Sequence, residues 1–326
     1  MTDKKLKISV ESYPLKEAFT ISRGSKRSAD VVVVEIHQNG LVGRGEAVPY
    51  ARYGETLETV TASIENIQTA LEKNMSRTQL QSAMLPGAAR NAIDCALWDL
   101  EAQIAGQTLP QYADLPTPKD LPSAFTISLN SPAVMADKAK QAKNYPLLKL
   151  KLGGEDGFAA DLGRLAAVRQ ARPEADLMVD VNEAWQANDL AAHVSQLKSF
   201  NLKLIEQPLA EGKDDILKTL DLSFCADESI HDTNSLTGLK GKYDWVNIKL
   251  DKTGGLTEAL KLVDLAKKQG FQIMIGCMVS SSLALYPAFC LAQICDLADL
   301  DGALFLAQDR QPGFMYKHAV MSFPTA

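Results

Sequence analysis

The amino-acid sequence predicts an α/β protein, in which a barrel of alternating strands and helices follows a smaller α+β domain. Three observations support this prediction. The 326 residues exceed the roughly 100–200 residues of one typical domain. The first 115 residues combine a hairpin pattern with helical patterns, and from residue 123 onward short apolar runs alternate with helix-like segments. Such alternation is typical of a parallel sheet, and an open doubly wound sheet is the alternative to a closed barrel.

The first domain, residues 1–115, is predicted to begin with strands and to continue with helices. Two apolar runs, VVVVEI and LVGRGEA, flank Asn39-Gly40, which is a strong signal for a two-residue hairpin turn. From Leu57 onward, apolar residues recur at steps of three and four, which predicts a helix with one apolar face. A second helix is predicted from Pro86 to Gly106, because proline is typical of helix starts and glycine of helix ends.

The barrel domain is predicted over residues 116–305, after a proline-rich linker at 115–122. Ser131-Pro132 predicts the start of a helix after the first strand, and a further helix is predicted from Thr257 to Gly270. Residues 306–326 are expected to return and pack on the first domain. The predicted strands lie at 123–129, 147–152, 176–182, 202–208, 223–229, 244–250, 272–278 and 297–302.

The composition excludes several classes of protein. The net charge is −6 and no basic run is present, which argues against a partner that is a nucleic acid or an anionic membrane. The N-terminus lacks the apolar stretch of a secretory signal, and no apolar run approaches the ~18 residues of a spanning helix. The five cysteines form no CxxC pair, so we expect thiols in a reducing compartment. A cytoplasmic protein is predicted.

Charged side chains occupy strand positions that should face the inside of the barrel. In the run LLKLKL, Lys149 and Lys151 share one face and the leucines share the other. Because the leucines suit the helix-covered face, the lysines should point inward. The same alternation of polar and apolar residues in the run VNIKLD places Lys249 on the inner face of the barrel. Buried lysines are unfavourable unless they are paired or functional, and for one such lysine alone a structural ion pair is the simpler interpretation.

Three acidic residues lie near the C-terminal ends of successive predicted strands. Asp180, Glu206 and Asp227 are about one βα unit apart, so their side chains should converge at one end of the barrel. Carboxylate oxygens without histidine or cysteine suit Mg²⁺ or Mn²⁺. Strand-end acids also cap helices, but the inward lysines around this set favour a catalytic site.

The segments KLK, DVNEAW, EQPL, ADES and IKLDKTGG, in this order, resemble the muconate-lactonising subgroup of the enolase superfamily. The resemblance implies a modified (β/α)₇β barrel of TIM type with an N-terminal capping domain. It also implies that the three acids bind Mg²⁺, with Mn²⁺ as a substitute, and stabilise an enediolate. Lys151 and Lys249 would then move the α-proton on opposite faces of the substrate, with Lys149 beside the bound substrate.

Within this subgroup, the segments GCM and NIKLDKTGGLTEAL, with Thr126 and the Asp299-x-Asp301 pair, resemble those of dipeptide epimerases that act on L-Ala-D/L-Glu. The resemblance implies that Asp299 and Asp301 bind the substrate ammonium group. The side-chain carboxylate of the substrate would meet Arg23 in the segment ISRGSKRS, which we expect to be a loop, or another basic residue of that segment. Taken alone, the acid pair would indicate a helix cap or salt bridge, and Arg23 a solvated charge. The remaining predicted substrate contacts are Tyr50, Tyr53, Thr126, Gly276, Cys277 and Met278.

The expected function is therefore a Mg²⁺-dependent epimerase that inverts the glutamate α-carbon of L-Ala-D/L-Glu in murein peptide recycling. An o-succinylbenzoate synthase, an N-acylamino acid racemase and a non-catalytic binding protein on the same scaffold are the alternatives. The expected partner is a small dipeptide substrate, and formation of a homo-oligomer is left open.

Overall fold

The computed structural model describes residues 3–323 and begins with a three-stranded antiparallel sheet. Its strands are β1 (Lys5–Ile21), β2 (Gly24–Gln38) and β3 (Leu41–Ala47). The turn predicted at Asn39-Gly40 is confirmed, since both residues have positive φ, 53° and 80°.

The segment ISRGSKRS is a β-hairpin, so the expectation of a loop is wrong. Only Ser22 and Arg23 separate β1 from β2, and pairing continues to Ile21 and Gly24. Residues 22–28 are exposed or half-buried, with no fully buried face. The alternation of apolar residues that marks a half-buried strand is therefore missing from this segment.

Five helices follow this sheet in the chain. The longest, α4, packs its alanines against Val32 and Val34 of β2, while Val31 and Val33 on the other face pack near Val48. Burial on both faces accounts for the continuous valine run. The helices are α1 (Leu57–Asn66), α2 (Gln68–Glu72), α3 (Arg77–Ala83), α4 (Ala88–Ile104) and α5 (Leu109–Tyr112), and a short 3₁₀ helix lies at Ala51–Tyr53.

Eight parallel strands form the barrel within the described residues, in sequential order. A hydrogen bond of 3.0 Å from Ala124 N–H to Ala298 O joins the first and last strands, so the sheet closes. The closed barrel is confirmed over the open sheet, and every predicted strand is present but shorter. The barrel strands are β5 (Phe125–Ile127), β6 (Leu147–Lys151), β7 (Asp176–Asp180), β8 (Leu202–Glu206), β9 (Phe224–Ala226), β10 (Trp245–Ile248), β11 (Gln272–Gly276) and β12 (Leu297–Asp299).

Helices connect these strands on the outside of the barrel. The predicted helix start at Ser131-Pro132 is confirmed, because the Ser131 side chain accepts the Val134 N–H. The helices are α6 (Pro132–Gln141), α7 (Phe158–Ala171), α8 (Ala187–Ala192), α9 (Val194–Ser199), α10 (Leu250–Thr253), α11 (Leu256–Lys268) and α12 (Ser282–Ala292). Short 3₁₀ helices lie at Asp215–Thr219, Thr233–Gly238 and Gly302–Phe305.

Buried polar contacts hold the N-terminal sheet and helices on the barrel. Asp251 in α10 accepts hydrogen bonds from Val48 N–H at 3.0 Å and from Asn91 Nδ2 at 2.9 Å. The Arg90 guanidinium donates to Thr253 O at 2.6 Å. These bonds hold helix α4 and the segment after β3 against α10 of the barrel.

The last described segment contacts both parts of the protein. Ala307 N–H donates to Pro14 O at 2.8 Å, and Arg310 pairs with Glu11 at 2.6 Å. Strands β13 (Met315–Lys317) and β14 (Val320–Ser322) form a small sheet with β4 (Leu121–Pro122), which precedes the barrel.

The domain boundaries at 115/116 and 305/306 stay predictions. Of the predicted C-terminal segment, residues 324–326 lie outside the described residues. Within residues 3–323, no helix combines the length and apolar character needed to cross a membrane.

Candidate active site

A cavity of about 620 Å³ lies at the C-terminal ends of the barrel strands. The hairpin formed by β1 and β2, called the first hairpin below, covers it. Both parts of the protein contribute to its wall, as expected for a barrel enzyme whose loops and cap enclose the substrate. The predicted site residues on this wall are Arg23, Tyr50, Tyr53, Thr126, Lys149, Lys151, Asp227, Lys249, Cys277, Met278, Asp299 and Asp301.

Asp180, Glu206 and Asp227 converge at the floor of this cavity, and Asp227 lines it. Strand pairing places Asp180 beside Glu206, and Asp227 follows the next strand, β9. Ligand oxygens from all three lie within 4.8 Å of one another, and the side chains are almost fully buried. The convergence predicted from the strand-end positions is therefore present.

The three predicted lysines surround these carboxylates. Lys149 Nζ lies 2.7 Å from Glu206 Oε2 and 2.6 Å from Asp299 Oδ2. Lys151 Nζ lies 2.5 Å from Asp180 Oδ2, and Lys249 Nζ lies 2.6 Å from Asp227 Oδ2. Because β6 and β10 are the second and sixth strands of the ring, Lys151 and Lys249 approach the cavity from opposite walls.

Burial and the neighbouring charges together shift the pKa values of these groups. Burial, with the neighbouring Asp180 charge, raises the pKa of Glu206 to about 8. For Asp180, burial is outweighed by Lys151 and Lys149, which hold its pKa below the usual value. For Lys249, burial lowers the pKa but the carboxylates of Asp227 and Glu206 outweigh it and hold the pKa well above normal.

The donor set fits a hard divalent cation. It consists of three buried carboxylates without histidine or cysteine, which suits Mg²⁺ better than zinc. Additional side chains orient the ligands. Asn247 Nδ2 donates to Glu206 Oε1 at 2.7 Å, and Lys252 Nζ donates to Asp227 Oδ1 at 2.5 Å.

Two residues of this centre were not predicted from the sequence. Lys252 follows Lys249 by one helical turn and bonds Asp227, and its lowered pKa arises mainly from burial. Glu228 is buried, and its Oε1 accepts from Arg23 at 2.6 Å. The only signal in the sequence was their position inside IKLDKTGG and ADES, next to predicted residues.

The acid pair Asp299 and Asp301 lies on the cavity wall, as predicted. Asp299 Oδ1 is buried and has no hydrogen-bond partner within the described residues. Asp301 Oδ2 accepts the Thr126 N–H at 2.6 Å. Burial and the adjacent Asp299 charge raise the pKa of Asp301 to about 7. Lys149 pairs with Asp299 Oδ2, so two buried carboxylates face one ammonium group here. The free Oδ1 of Asp299 and the Asp301 carboxylate can therefore receive a second cation, such as an ammonium group.

The first hairpin and the 3₁₀ helix close the cavity from above. The Arg23 guanidinium donates to Glu228 Oε1 at 2.6 Å, to Tyr50 Oη at 2.8 Å and to Asn182 O at 2.9 Å. The Tyr50 and Tyr53 rings are 5.4 Å apart between centroids. Arg23 therefore joins the hairpin to the barrel.

Of the remaining predicted substrate contacts, two line the cavity and one does not. Cys277 and Met278 lie on the cavity wall, and the Cys277 thiol donates to Asp299 O. Gly276 is not among the lining residues. It lies behind the wall, where an added Cβ would approach Asn247 Oδ1 to 2.4 Å. Its predicted contact with substrate stays a prediction.

Comparison with known families identifies both halves of the chain. Residues 4–112 match the mandelate racemase/muconate lactonizing enzyme N-terminal domain, and residues 134–325 match the enolase C-terminal domain-like family. The chain belongs to the enolase superfamily. The resemblance inferred from the sequence motifs and the predicted fold class are both confirmed.

Two similar proteins have names that state different substrates. The L-Ala-D/L-Glu epimerase of Escherichia coli K12 is 42% identical over 315 residues, covering 95% of this chain and 97% of that protein. An N-acetyl-D-glutamate racemase of Pseudoalteromonas is also 42% identical, over 298 residues, covering 90% of this chain and 92% of that protein.

Solved structures of similar proteins share the whole architecture. An Agrobacterium tumefaciens enolase family member, with bound sodium and L-Ala-L-Glu, has a TM-score of 0.95 and 45% identity, covering 99% of this chain and 98% of that one. The Enterococcus faecalis dipeptide epimerase, complexed with Mg and L-Leu-L-Tyr, has a TM-score of 0.90 and 30% identity, covering 100% and 98%. This enolase-superfamily chain is therefore an isomerase of the epimerase type.

Proposed function

We propose that the chain is a Mg²⁺-dependent dipeptide epimerase that interconverts L-Ala-D-Glu and L-Ala-L-Glu. The observation that carries the proposal is the pair of lysines, Lys151 and Lys249, on opposite walls of one cavity above three buried carboxylates. Two proton-transfer groups on opposite faces of a carbon are what a 1,1-proton transfer with inversion needs. The similarity to proteins named as dipeptide epimerases supports the choice of substrate.

Asp180, Glu206 and Asp227 are the proposed metal ligands. When bound there, a divalent cation would supply positive charge that stabilises the negative charge developing on the substrate carboxylate as the α-proton leaves. Lys149 pairs with Glu206 and Asp299 on the same side of the cavity, and so keeps these acids fixed in position. Mn²⁺ has the same preference for oxygen ligands and is the proposed substitute.

The lysines are the proposed acid and base. One lysine removes the α-proton from one epimer, and the other returns a proton to the opposite face, which inverts the carbon. Asp299 and Asp301 bind the substrate ammonium and so set the α-carbon between the lysines. Tyr50, the hairpin and the 3₁₀ helix limit the access of water from above.

A second candidate is racemisation of an N-acylated glutamate. The 42% identity to the N-acetyl-D-glutamate racemase favours it. The acid pair opposes it, because an N-acyl group carries no positive charge to match Asp299 and Asp301. For the dipeptide, we place the reaction in murein peptide recycling in the cytoplasm.

The test is α-proton exchange in D₂O with Mg²⁺, followed by proton NMR. L-Ala-D-Glu, L-Ala-L-Glu and N-acetyl-D-glutamate are incubated separately. The proposal requires loss of the glutamate α-proton signal and appearance of the other epimer with both dipeptides. Absence of exchange with the dipeptides would contradict it, and faster exchange with N-acetyl-D-glutamate would establish the second candidate. A Lys151→Ala, Lys249→Ala double variant is the control for non-enzymatic exchange.

A further inference from the structure

Gln207 directly follows the proposed metal ligand Glu206 and is fully buried. Its φ is 34°, in the left-handed region of backbone conformation, which is unfavourable for most residues other than glycine. Contacts of the Gln207 side chain must therefore offset this cost. Gln207 is not among the residues that line the active-site cavity, so contact with a substrate does not explain these features.

The side-chain amide of Gln207 is bonded to the segment that carries Asp227. Its Oε1 accepts the N–H groups of Asp227 and Ser229, both at 3.0 Å. Its Nε2 lies 2.8 Å from the acceptor Ser229 Oγ, 2.9 Å from Leu209 O and 3.1 Å from Tyr243 Oη. Because the two backbone N–H groups require an acceptor, they fix the orientation of the amide.

The backbone of Gln207 extends this link to a third strand end. Its N–H donates to Cys225 O at 2.9 Å, and its carbonyl accepts the Glu183 N–H at 2.8 Å. Glu183 lies in the segment that follows β7. One residue thus joins the C-terminal ends of β7, β8 and β9, which carry the three proposed metal ligands.

Strand pairing alone does not set the position of Asp227. Strand β9 ends at Ala226, so Asp227 lies beyond the last pairs of this strand. The Asp227 N–H is held by Gln207 Oε1 instead, and the Asp227 carbonyl accepts from Lys252 Nζ. A change at Gln207 should therefore move the Asp227 carboxylate relative to that of Glu206.

A buried polar network holds the Gln207 amide from behind. Asp214 Oδ2 accepts from Tyr243 Oη at 2.8 Å and from Ser229 Oγ at 3.3 Å. Asp214 Oδ1 pairs with Lys242 Nζ at 2.6 Å. Since Asp214, Tyr243 and Ser229 are all buried, the amide has rigid surroundings, and the ligand spacing is fixed before a cation binds.

A rigid ligand spacing distinguishes between cations of different size. Mg²⁺ requires nearly ideal octahedral geometry at about 2.0–2.1 Å, whereas Ca²⁺ accepts a flexible geometry at about 2.3–2.6 Å. We propose that Gln207 is a positioning residue that holds the three carboxylates at a spacing suited to Mg²⁺, and so sets the preference of the site for Mg²⁺ over Ca²⁺. This inference rests on the metal site of the proposed function and names the residue that makes that site selective.

The experiment is isothermal titration of the full chain with MgCl₂ and, separately, with CaCl₂. The readout is the ratio of the two association constants, Mg²⁺ over Ca²⁺, which does not depend on catalysis. In Gln207→Asn this ratio should fall roughly 10- to 100-fold, because misplaced ligands weaken Mg²⁺ binding by about that factor and Ca²⁺ tolerates the altered spacing. Asparagine adopts positive φ readily, so this variant shortens the side chain without adding backbone strain.

Gln207→Glu tests whether the acceptor atom is what matters. It keeps an oxygen for the N–H groups of Asp227 and Ser229 and should retain most of the wild-type ratio. Its added charge acts on both affinities alike, because the two cations carry the same charge.

Arg172→Met is the matched control for loss of stability. Arg172 is buried and donates to carbonyls at the C-terminal end of α6, at the opposite end of the barrel from the metal ligands. This variant removes several buried hydrogen bonds without touching the site, and its ratio should equal that of the wild type.

The outcomes separate this inference from the proposed function. A wild-type ratio in folded Gln207→Asn would overturn the role of Gln207 and leave the metal site and the epimerase function intact. An equal fall in Arg172→Met would also overturn it, because lost stability would then explain the change. A wild type that binds no Mg²⁺ would overturn the metal assignment and this inference together, whereas α-proton exchange in D₂O tests the epimerase function separately. If Gln207→Asn did not fold, a lower ratio in folded Gln207→Met would support the inference and a wild-type ratio there would overturn it.

Discussion

Gly276→Ala should weaken metal binding without touching a metal ligand. Gly276 ends β11, and a Cβ added there would lie 2.4 Å from Asn247 Oδ1 and 2.9 Å from its Nδ2. Asn247 is fully buried, and its Nδ2 donates to Glu206 Oε1 at 2.7 Å. Because φ of Gly276 is not positive, alanine adds no backbone strain, and the clash with the Asn247 amide is the direct effect.

The size of the effect follows from the bond that Asn247 must give up. A hydrogen bond to a charged group contributes about 1.5–3 kcal/mol. Loss of a residue that orients a metal ligand typically lowers affinity about 10- to 100-fold, which agrees with that range. We therefore expect Mg²⁺ affinity to fall about 10- to 100-fold, and overpacking to lower the free energy of unfolding by about 1–3 kcal/mol.

Isothermal titration with MgCl₂ measures the affinity, and a thermal melt shows that the variant is folded. Gly163→Ala in helix α7 is the control. A Cβ added at Gly163 would have Pro132 Cγ as its nearest neighbour, at 4.0 Å, so it would not clash. Asn247→Ala removes the same hydrogen bond without the clash and should lose similar affinity. Wild-type Mg²⁺ affinity in folded Gly276→Ala would refute the idea that Asn247 positions Glu206.

Three further predictions concern the metal, the acid pair and the contact between the hairpin domain and the barrel. Mg²⁺ at one hundred times its Kd should stabilise the fold by about 2.7 kcal/mol, seen as a higher Tm that EDTA reverses, and Asp227→Asn should show no such rise. The KM for dipeptides should increase as the pH falls below about 7, because the pKa of Asp301 is raised to about 7 and only its ionised form attracts the ammonium. In Asp301→Asn, KM should be high throughout, and an identical pH profile there would remove Asp301 from this role. Arg90→Met should lower the free energy of unfolding by about 3 kcal/mol in a urea titration, because the carbonyl of Thr253 loses its buried donor, and a change under 1 kcal/mol would contradict this.

The barrel and its inward charges could be predicted because strand geometry is periodic. The alternation in LLKLKL correctly predicted that Lys149 and Lys151 face inward, and the strand-end positions of Asp180 and Glu206 correctly predicted their proximity. Such patterns can be recognised from the local sequence, without knowing which distant residues are in contact.

Other parts of the site depend on contacts that no local pattern specifies. Lys252 lies in a one-turn helix after β10, where strand alternation has ended, so its bond to Asp227 could not be derived from spacing. Arg23 and Glu228 are 205 residues apart in the chain and meet only because the first hairpin lies over the barrel. The sequence of the hairpin predicts a loop, because its residues lack a fully buried face.

In the proposed mechanism, Lys151 and Lys249 act on opposite faces of the same α-carbon. The most direct test is deuterium exchange by the single variants Lys151→Ala and Lys249→Ala, each given L-Ala-D-Glu and L-Ala-L-Glu separately in D₂O. Each variant keeps one lysine and should exchange the α-proton of one epimer without inverting it, and the two variants should act on opposite epimers. Full interconversion of the epimers by either variant would contradict the two-lysine mechanism.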